Sequence, residues 1–223
     1  MTKPKLWLLL TCRALATAAL AVGVVGSASA EGYDLKKIMP SGGGGGGTDP
    51  AKRRIVESRG ASICLDVSGG PNNQVWFTLW QDIPEPNARL ASINFDTGKH
   101  ADLFTGVKVV SQSLGLKSTT ARVSNVRYRV ELPYQYYGGG RRPTGGLAPG
   151  NFIVMSVDLG PGKTFASVIG ALNEGLNPAT GASGLHFWVT GHYFLGGPPP
   201  GVATISDDAS FTISGASSRC VRR

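Results

Sequence analysis

Apolar and polar residues alternate at every second position over much of this chain, and this alternation constrains the fold more than any other feature. The clearest case is VRYRVEL at residues 126–132, where Arg or Glu separates the apolar side chains Val126, Tyr128, Val130 and Leu132. Successive side chains of a β-strand point to opposite faces of its sheet. This period therefore predicts strands with an apolar face turned inward and a polar face turned outward.

Further short stretches with this period are separated by turn-forming clusters such as SGGPNN, IPEPN and GGPPPG. About eight to ten short strands joined by such turns are typical of antiparallel sandwiches and jelly rolls. We therefore predict an all-β fold, specifically an antiparallel, jelly-roll-like β-sandwich.

One stretch, TFASVIGALNEGL, has a helical period instead. Its apolar residues fall three or four positions apart, at Phe165, Val168, Ile169, Leu172 and Leu176. Thr164 is a suitable N-cap and Gly175 a suitable stop. We predict one short helix near residues 164–175 that packs over an end or edge of the sandwich.

The first 30 residues have the pattern of a secretory signal peptide. Three basic residues are followed by a short apolar run and by Ala28-Ser29-Ala30, a small-x-small cleavage pattern. An uncleaved N-terminal anchor is the alternative. After cleavage the sequence predicts no membrane span, a flexible Gly-rich tether over residues 31–51, and a single domain over residues 52–221.

Export of the chain would favour a disulfide between its remaining cysteines. Cys12 lies in the predicted signal, so the mature chain keeps Cys64 and Cys220. Exported cysteines usually pair in an oxidising compartment, and we predict a disulfide between these two. Two buried free thiols are the alternative. The expected location is secreted, periplasmic or on the cell surface.

The charge distribution argues against nucleic acid as a partner. The whole chain carries a net charge of +8, and its basic residues are scattered apart from small clusters at 52–54 and 141–142. A nucleic-acid interface needs a denser basic stripe. We expect no nucleic-acid partner.

Sequence motifs for catalysis, metal binding and cofactor binding are missing. LGPGKT at residues 159–164 ends like a phosphate-binding loop, but the required first glycine is Val157. His100, His186 and His192 show no metal-ligand spacing, and no Gly-x-Ser-x-Gly occurs. We therefore predict no catalytic residue, metal or cofactor, although a catalytic triad can be assembled from distant residues.

Two tryptophans form the first candidate binding surface. Trp76 and Trp80 occupy the same face of the strand QVWFTLW, opposite its aliphatic face. The rise per residue places their Cα atoms about 13 Å apart. If this face is exposed, the indoles form a platform for sugar rings or apolar ligands. If it is covered, both tryptophans belong to the core.

The second candidate is the long segment ELPYQYYGGGRRPTGGLAPG at residues 131–150. Its proposed ligand-binding side chains are Tyr134, Tyr136, Tyr137, Arg141 and Arg142. Long loops inside compact domains are often functional, and tyrosine and arginine suit recognition surfaces. The alternative is that Tyr134 and Tyr136 simply continue the preceding strand.

These features favour an exported, non-enzymatic binding or adhesin-like module with a glycan or another envelope-surface ligand. An exported hydrolase of a polysaccharide or envelope polymer is the first alternative. A structural subunit of a surface assembly is the second, so the sequence leaves a homo-oligomer open.

Overall fold

A computed structural model describes six ranges of the chain, which are residues 30–38, 62–82, 88–135, 144–176, 183–193 and 207–221. Nearly all regular structure in these ranges is β. The strands are β1 (Ala30–Ile38), β2 (Ser62–Gly70), β3 (Gln74–Asp82), β4 (Arg89–Asp96), β5 (Phe104–Gln112), β6 (Thr119–Arg122), β7 (Arg127–Glu131), β8 (Tyr134–Gln135), β9 (Thr144–Gly145), β10 (Phe152–Leu159), β11 (His186–Tyr193) and β12 (Asp207–Ala216). One α-helix, α1 (Phe165–Leu176), and a 3-10 turn (Ser218–Cys220) complete the description.

Ten strands form one continuous antiparallel sheet in the order β5-β10-β3-β2-β1-β12-β11-β4-β7-β6. Its two edge strands, β5 and β6, lie beside each other, so the sheet is nearly closed and barrel-like. The prediction of an antiparallel all-β fold with one short helix is confirmed. The division into two sheets of a sandwich is not confirmed, because alternation determines which face a side chain takes and leaves strand pairing open.

Residues 31–38 differ from the predicted tether, because they belong to β1 near the middle of the sheet. β1 pairs with β2 on one side and with β12 on the other. Tyr33 and Leu35 are buried, with Asp34 between them. Gly32 permits close packing, because a Cβ there would collide with the backbone of Ser217 and Cys220. The glycines of residues 42–47 lie outside the described ranges, so the rest of the tether stays a prediction.

Aromatic rings fill the interior of the sheet. Phe77, Phe95, Phe104 and Phe187 form a cluster with centroid separations of 5.0–6.3 Å, mostly in edge-to-face pairs. Tyr128 packs on Phe104, and its hydroxyl donates to the Phe104 carbonyl at 3.1 Å. Aromatic pairs of this geometry contribute about 0.5–1.5 kcal/mol each beyond the area that they bury. The inward face is therefore a packed core, and the outward face remains for binding.

Helix α1 connects β10 to β11 and buries Val168, Ile169, Ala171 and Leu172 against the core. This outcome confirms the predicted helix. With 12 residues, α1 is the only α-helix in the described ranges, and none there is long and apolar enough to cross a membrane.

Candidate functional site

The candidate site begins at the tight turn between β2 and β3. Asn72 and Asn73 have φ values of 55° and 58°, and the Gln74 amide donates to the Pro71 carbonyl at 3.2 Å. Two central residues with positive φ are the mark of a type I′ turn, which matches the twist of a hairpin. Asparagine tolerates this conformation better than other residues with a side chain. Strand pairing begins at Gly70 and Gln74 beyond this turn, and its register places Trp76 opposite Ser68.

Trp76 lies on the outer face of the sheet, and 37% of its surface is exposed. Its inward-facing neighbours Val75 and Phe77 are completely buried. The indole leans over Gly70, since a Cβ on that glycine would lie 2.8 Å from the indole Nε1. Trp80 shares the outer face but is half-buried. The structure therefore places the more exposed indole near the β2–β3 turn.

Polar side chains from three strands lie beside Trp76. In register, Gln74 of β3 lies opposite Asp158 of β10, and Asp158 lies opposite Gly106 of β5. Gln74 Nε2 donates to Asp158 Oδ1 at 2.6 Å, and Lys108 Nζ lies 3.4 Å from the same oxygen. An amide, a carboxylate and an ammonium group therefore meet next to an exposed indole. We call Trp76, Gln74, Asp158, Lys108 and Ser156 the Trp76 patch.

Ser156 is the buried member of the Trp76 patch. It lies opposite Trp76 on one side and opposite Lys108 on the other. The residue is fully buried, and its Oγ has no hydrogen-bond partner among the described residues. A buried hydroxyl without a partner costs about 1–3 kcal/mol. This hydroxyl therefore has unused hydrogen-bonding capacity, although it is covered in the unbound protein.

A third tryptophan on the outer face has different surroundings. Trp188 is half-buried and lies in register with Asn94, which in turn lies opposite Arg129. Arg129 Nε donates to Asn94 Oδ1 at 2.8 Å, Asn94 Nδ2 donates to Ser92 Oγ at 3.0 Å, and Ser92 Oγ lies 2.6 Å from Thr190 Oγ1. The polar groups beside Trp188 bind one another, as Gln74, Asp158 and Lys108 do, but the Trp188 indole is less exposed than that of Trp76.

The predicted tyrosine loop is described only in part. Tyr134 and Gln135 form β8, which pairs with Thr144 and Gly145 of β9. Tyr134 is half-buried. The other proposed ligand-binding residues, Tyr136, Tyr137, Arg141 and Arg142, lie outside the described ranges. Their role stays a prediction.

The segment that resembles a phosphate-binding loop is a turn followed by a helix cap. Lys163 Nζ pairs with Asp102 Oδ2 at 2.7 Å, and this contact lowers the pKa of the Asp102 carboxyl. Thr164 Oγ1 accepts a hydrogen bond from the Ser167 amide at 3.3 Å. The lysine and the threonine of this segment therefore have structural partners in the protein.

Glu174 of α1 connects three other groups. Its carboxylate accepts from Lys99 at 2.5 Å and from Ser183 Oγ at 2.6 Å, and it lies 2.8 Å from His100 Nε2. These contacts, led by the one to Lys99, lower the pKa of Glu174 to about 2. A Ser-His-acid triad places the imidazole between the serine and the acid, whereas here the carboxylate lies between the other two. The cluster joins the helix to the turn before β5.

The predicted disulfide is confirmed. Cys64 of β2 is bonded to Cys220 of the 3-10 turn, and both residues are buried. Asp34 Oδ1 lies 3.0 Å from Cys220 Sγ, and Asp34 Oδ2 lies 3.2 Å from a guanidinium nitrogen of Arg219. Asp34 and the two cysteines have their ligand atoms close enough for a metal ion. Because thiolates and not disulfide sulfurs bind metals, the bonded pair functions here as a cross-link.

Trp76 was predicted from the sequence as a candidate binding residue, whereas the polar residues of the patch were not. Asp158 and Ser156 alternate with apolar residues in β10, so each taken alone looks like an ordinary outward-facing residue. Only the pairing of β10 with β3 and β5 brings them to Trp76. The sequence does show that Ser156 and Asp158 share one face of an otherwise apolar strand, and this pattern could have indicated a polar site there.

The site and fold define a nearly closed antiparallel sheet with an aromatic and polar patch on its outer face. In comparisons with protein-family models, curated proteins and solved structures, nothing matches this chain.

Proposed function

We propose that this protein is an exported, non-enzymatic binding module whose Trp76 patch binds carbohydrate outside the cell or on the cell envelope. The observation that carries the proposal is the exposed indole of Trp76 beside the hydrogen-bonding groups of Gln74, Asp158 and Lys108. A sugar ring has an apolar face that stacks on an indole and a hydroxyl rim that binds polar side chains. Ligand sites typically combine an aromatic surface with a few such polar groups.

Export is the second element of the proposal. The signal-like first 30 residues support it, and so does the Cys64–Cys220 disulfide, since disulfides persist mainly in oxidising compartments. The proposed location is secreted, periplasmic or on the cell surface. The tyrosine loop is proposed as an additional contact region for the same ligand.

A glycan array tests the proposed function. Wild type, Trp76→Ala, Tyr137→Ala and the control Trp188→Ala are compared on one array. We expect wild type and the control to retain one class of glycan, and Trp76→Ala to bind it at least tenfold more weakly. If no class is retained, or if Trp76→Ala and Tyr137→Ala both bind as well as wild type, the proposal is wrong.

A structural subunit of a surface assembly is the second candidate. Val110 and Val123 are about half exposed and Leu114 is fully exposed, and all three belong to the stretch from β5 to the β6–β7 turn. Exposed apolar side chains near sheet edges favour subunit contacts. Light scattering after size exclusion tests this role. A molar mass that rises with concentration supports it, and a monomer at every concentration contradicts it.

A further inference from the structure

We infer that the Trp76 patch selects uncharged sugars that carry two adjacent free hydroxyls, and that Asp158 and Lys108 are the residues that make this selection. The inference rests on the proposed function, because it specifies which carbohydrate the outer face takes. It concerns the polar half of the patch, whereas the proposed function depends mainly on the indole.

The two carboxylate oxygens of Asp158 differ in their hydrogen bonding. Oδ1 accepts from Gln74 and Lys108, while no described residue donates to Oδ2. Oδ2 lies 3.3 Å from the point that a Cβ on Gly106 would occupy, so the missing side chain leaves space over this oxygen. The Asp158 side chain is 40% exposed. An ionised carboxylate only accepts hydrogen bonds, so Oδ2 suits a hydroxyl donor.

Lys108 supplies the complementary group. Its side chain is 53% exposed, and its ammonium carries three donors, of which Asp158 Oδ1 takes one at 3.4 Å. A donor therefore lies directly beside an acceptor. Two adjacent hydroxyls of a sugar match this pair, since one donates to Asp158 Oδ2 while its neighbour accepts from Lys108 Nζ.

Ser156 provides an independent observation that points to a ligand. Its fully buried Oγ lacks a partner among the described residues, and it lies between Trp76 and Lys108 on the same face. Because Oγ is covered in the unbound protein, a sugar stacked on the indole and bound to Lys108 brings a hydroxyl, or a bridging water, to this atom only when the neighbouring side chains shift on binding. Binding would then satisfy a hydroxyl that the unbound protein leaves without a partner.

The ion pair also explains the preference for uncharged ligands. Asp158 and Lys108 neutralise each other, and a neutral sugar leaves this pair intact. A uronic acid would bring a second carboxylate to Lys108 and place it close to Asp158. Like charges at such distances repel each other, and the repulsion adds to the loss of the existing pair.

The test measures the binding of three probes by titration calorimetry, namely cellohexaose, its 2,3-di-O-methylated form and hexagalacturonate. Wild type is compared with Asp158→Asn, Ser156→Ala and Trp76→Ala. The matched control is Asp102→Asn, because Asp102 is also an exposed aspartate paired with a lysine, Lys163. Thermal unfolding of each variant checks that it is folded.

We expect wild type and Asp102→Asn to bind cellohexaose at least tenfold more tightly than the other two probes. Asp158→Asn should lose about tenfold for cellohexaose and gain affinity for hexagalacturonate, because Lys108 is then free to pair with a carboxylate. Ser156→Ala should bind cellohexaose severalfold more weakly.

The experiment distinguishes a failure of the inferred sugar selection from a failure of the proposed carbohydrate binding. If Trp76→Ala abolishes cellohexaose binding while Asp158→Asn leaves the preference among the probes unchanged, the inference is wrong and the proposed function stands. A wild type that prefers hexagalacturonate or the methylated probe overturns the inference as well. If wild type binds none of these probes and no glycan on the array, both are wrong.

Discussion

At the scale of single residues, Gly70 determines where the Trp76 indole lies. A Cβ at position 70 would approach the indole Nε1 to 2.8 Å, while a Cβ at the neighbouring Gly69 would have no atom within 4 Å. The indole is the outer part of a movable side chain, so it can shift without disturbing the backbone. The two adjacent glycines therefore offer a matched pair of substitutions.

We expect Gly70→Ala to displace the indole and to weaken glycan binding severalfold, with little change in the unfolding temperature. Gly69→Ala should bind as wild type does. Tryptophan fluorescence and binding titrations measure the two effects. If the two variants have the same tryptophan fluorescence and the same glycan affinity, the described orientation of Trp76 is wrong.

The contribution of Glu174 to the stability of the fold should depend on pH. Its folded-state pKa of about 2 is below the usual carboxyl value of 4.5. A lowered carboxyl pKa stabilises the fold above the unfolded-state pKa, and this stabilisation is lost as the pH falls from about 4.5 toward 2. The stability gap between wild type and Glu174→Gln should therefore be wide at pH 6 and narrow at pH 3.

Urea unfolding of both proteins at the two pH values measures this gap. The control is Glu131→Gln, because Glu131 is an exposed carboxylate whose ion pair among the described residues is with the exposed Arg129. A gap for Glu174→Gln that stays constant or grows toward pH 3 would show that the cluster with Lys99, His100 and Ser183 does not hold the charge as described.

At the scale of elements, alternation and helical period predicted β3, β7 and the helix. The same reasoning failed for β1, because the run of glycines at residues 42–47 dominated the composition of residues 31–50. It also missed β6, whose four residues TTAR are all exposed and so carry no apolar period. Pairing with β7 makes β6 a strand, and pairing cannot be seen in a segment taken alone.

The cap of helix α1 gives a prediction at this scale. Thr164 Oγ1 accepts from the Ser167 amide, and the Thr164 amide lies 3.2 Å from Ser167 Oγ. Thr164→Ala removes the first of these bonds and should lower the free energy of unfolding by about 1 kcal/mol. Thr164→Ser keeps the hydroxyl and should cost less. Denaturant unfolding compares them, and an alanine variant as stable as the serine variant would contradict the cap.

At the scale of the whole molecule, the first and last described strands lie side by side. β1 pairs with β12, and the disulfide then joins β2 to the turn that follows β12. The sequence indicated the disulfide through export and an even number of cysteines. The closing of the sheet could not be foreseen, since it depends on long-range pairing that the alternation does not determine. The polar residues of the Trp76 patch could not be predicted for the same reason, because only the pairing of β10 with β3 and β5 brings them together.

The disulfide spans a sequence separation of 156 residues. In the chain-entropy model, a cross-link of this length stabilises the fold by about 4–5 kcal/mol, because it restricts the unfolded chain. The double variant Cys64→Ala/Cys220→Ala should lose stability of this order in urea unfolding, and reduction of the wild type should have a similar effect. Unchanged unfolding midpoints in both experiments would contradict this role.

If the ligand lies on Trp76, its binding should change the resonance of the Trp76 indole N–H. The chain has four tryptophans, and Trp7 lies in the predicted signal, so the mature protein should show three indole signals. During titration with cellohexaose, or with the glycan retained on the array, we expect a large shift for Trp76 and almost none for Trp188. Binding that leaves the Trp76 signal in place, or that moves only the Trp188 signal, would show that the ligand does not lie on Trp76.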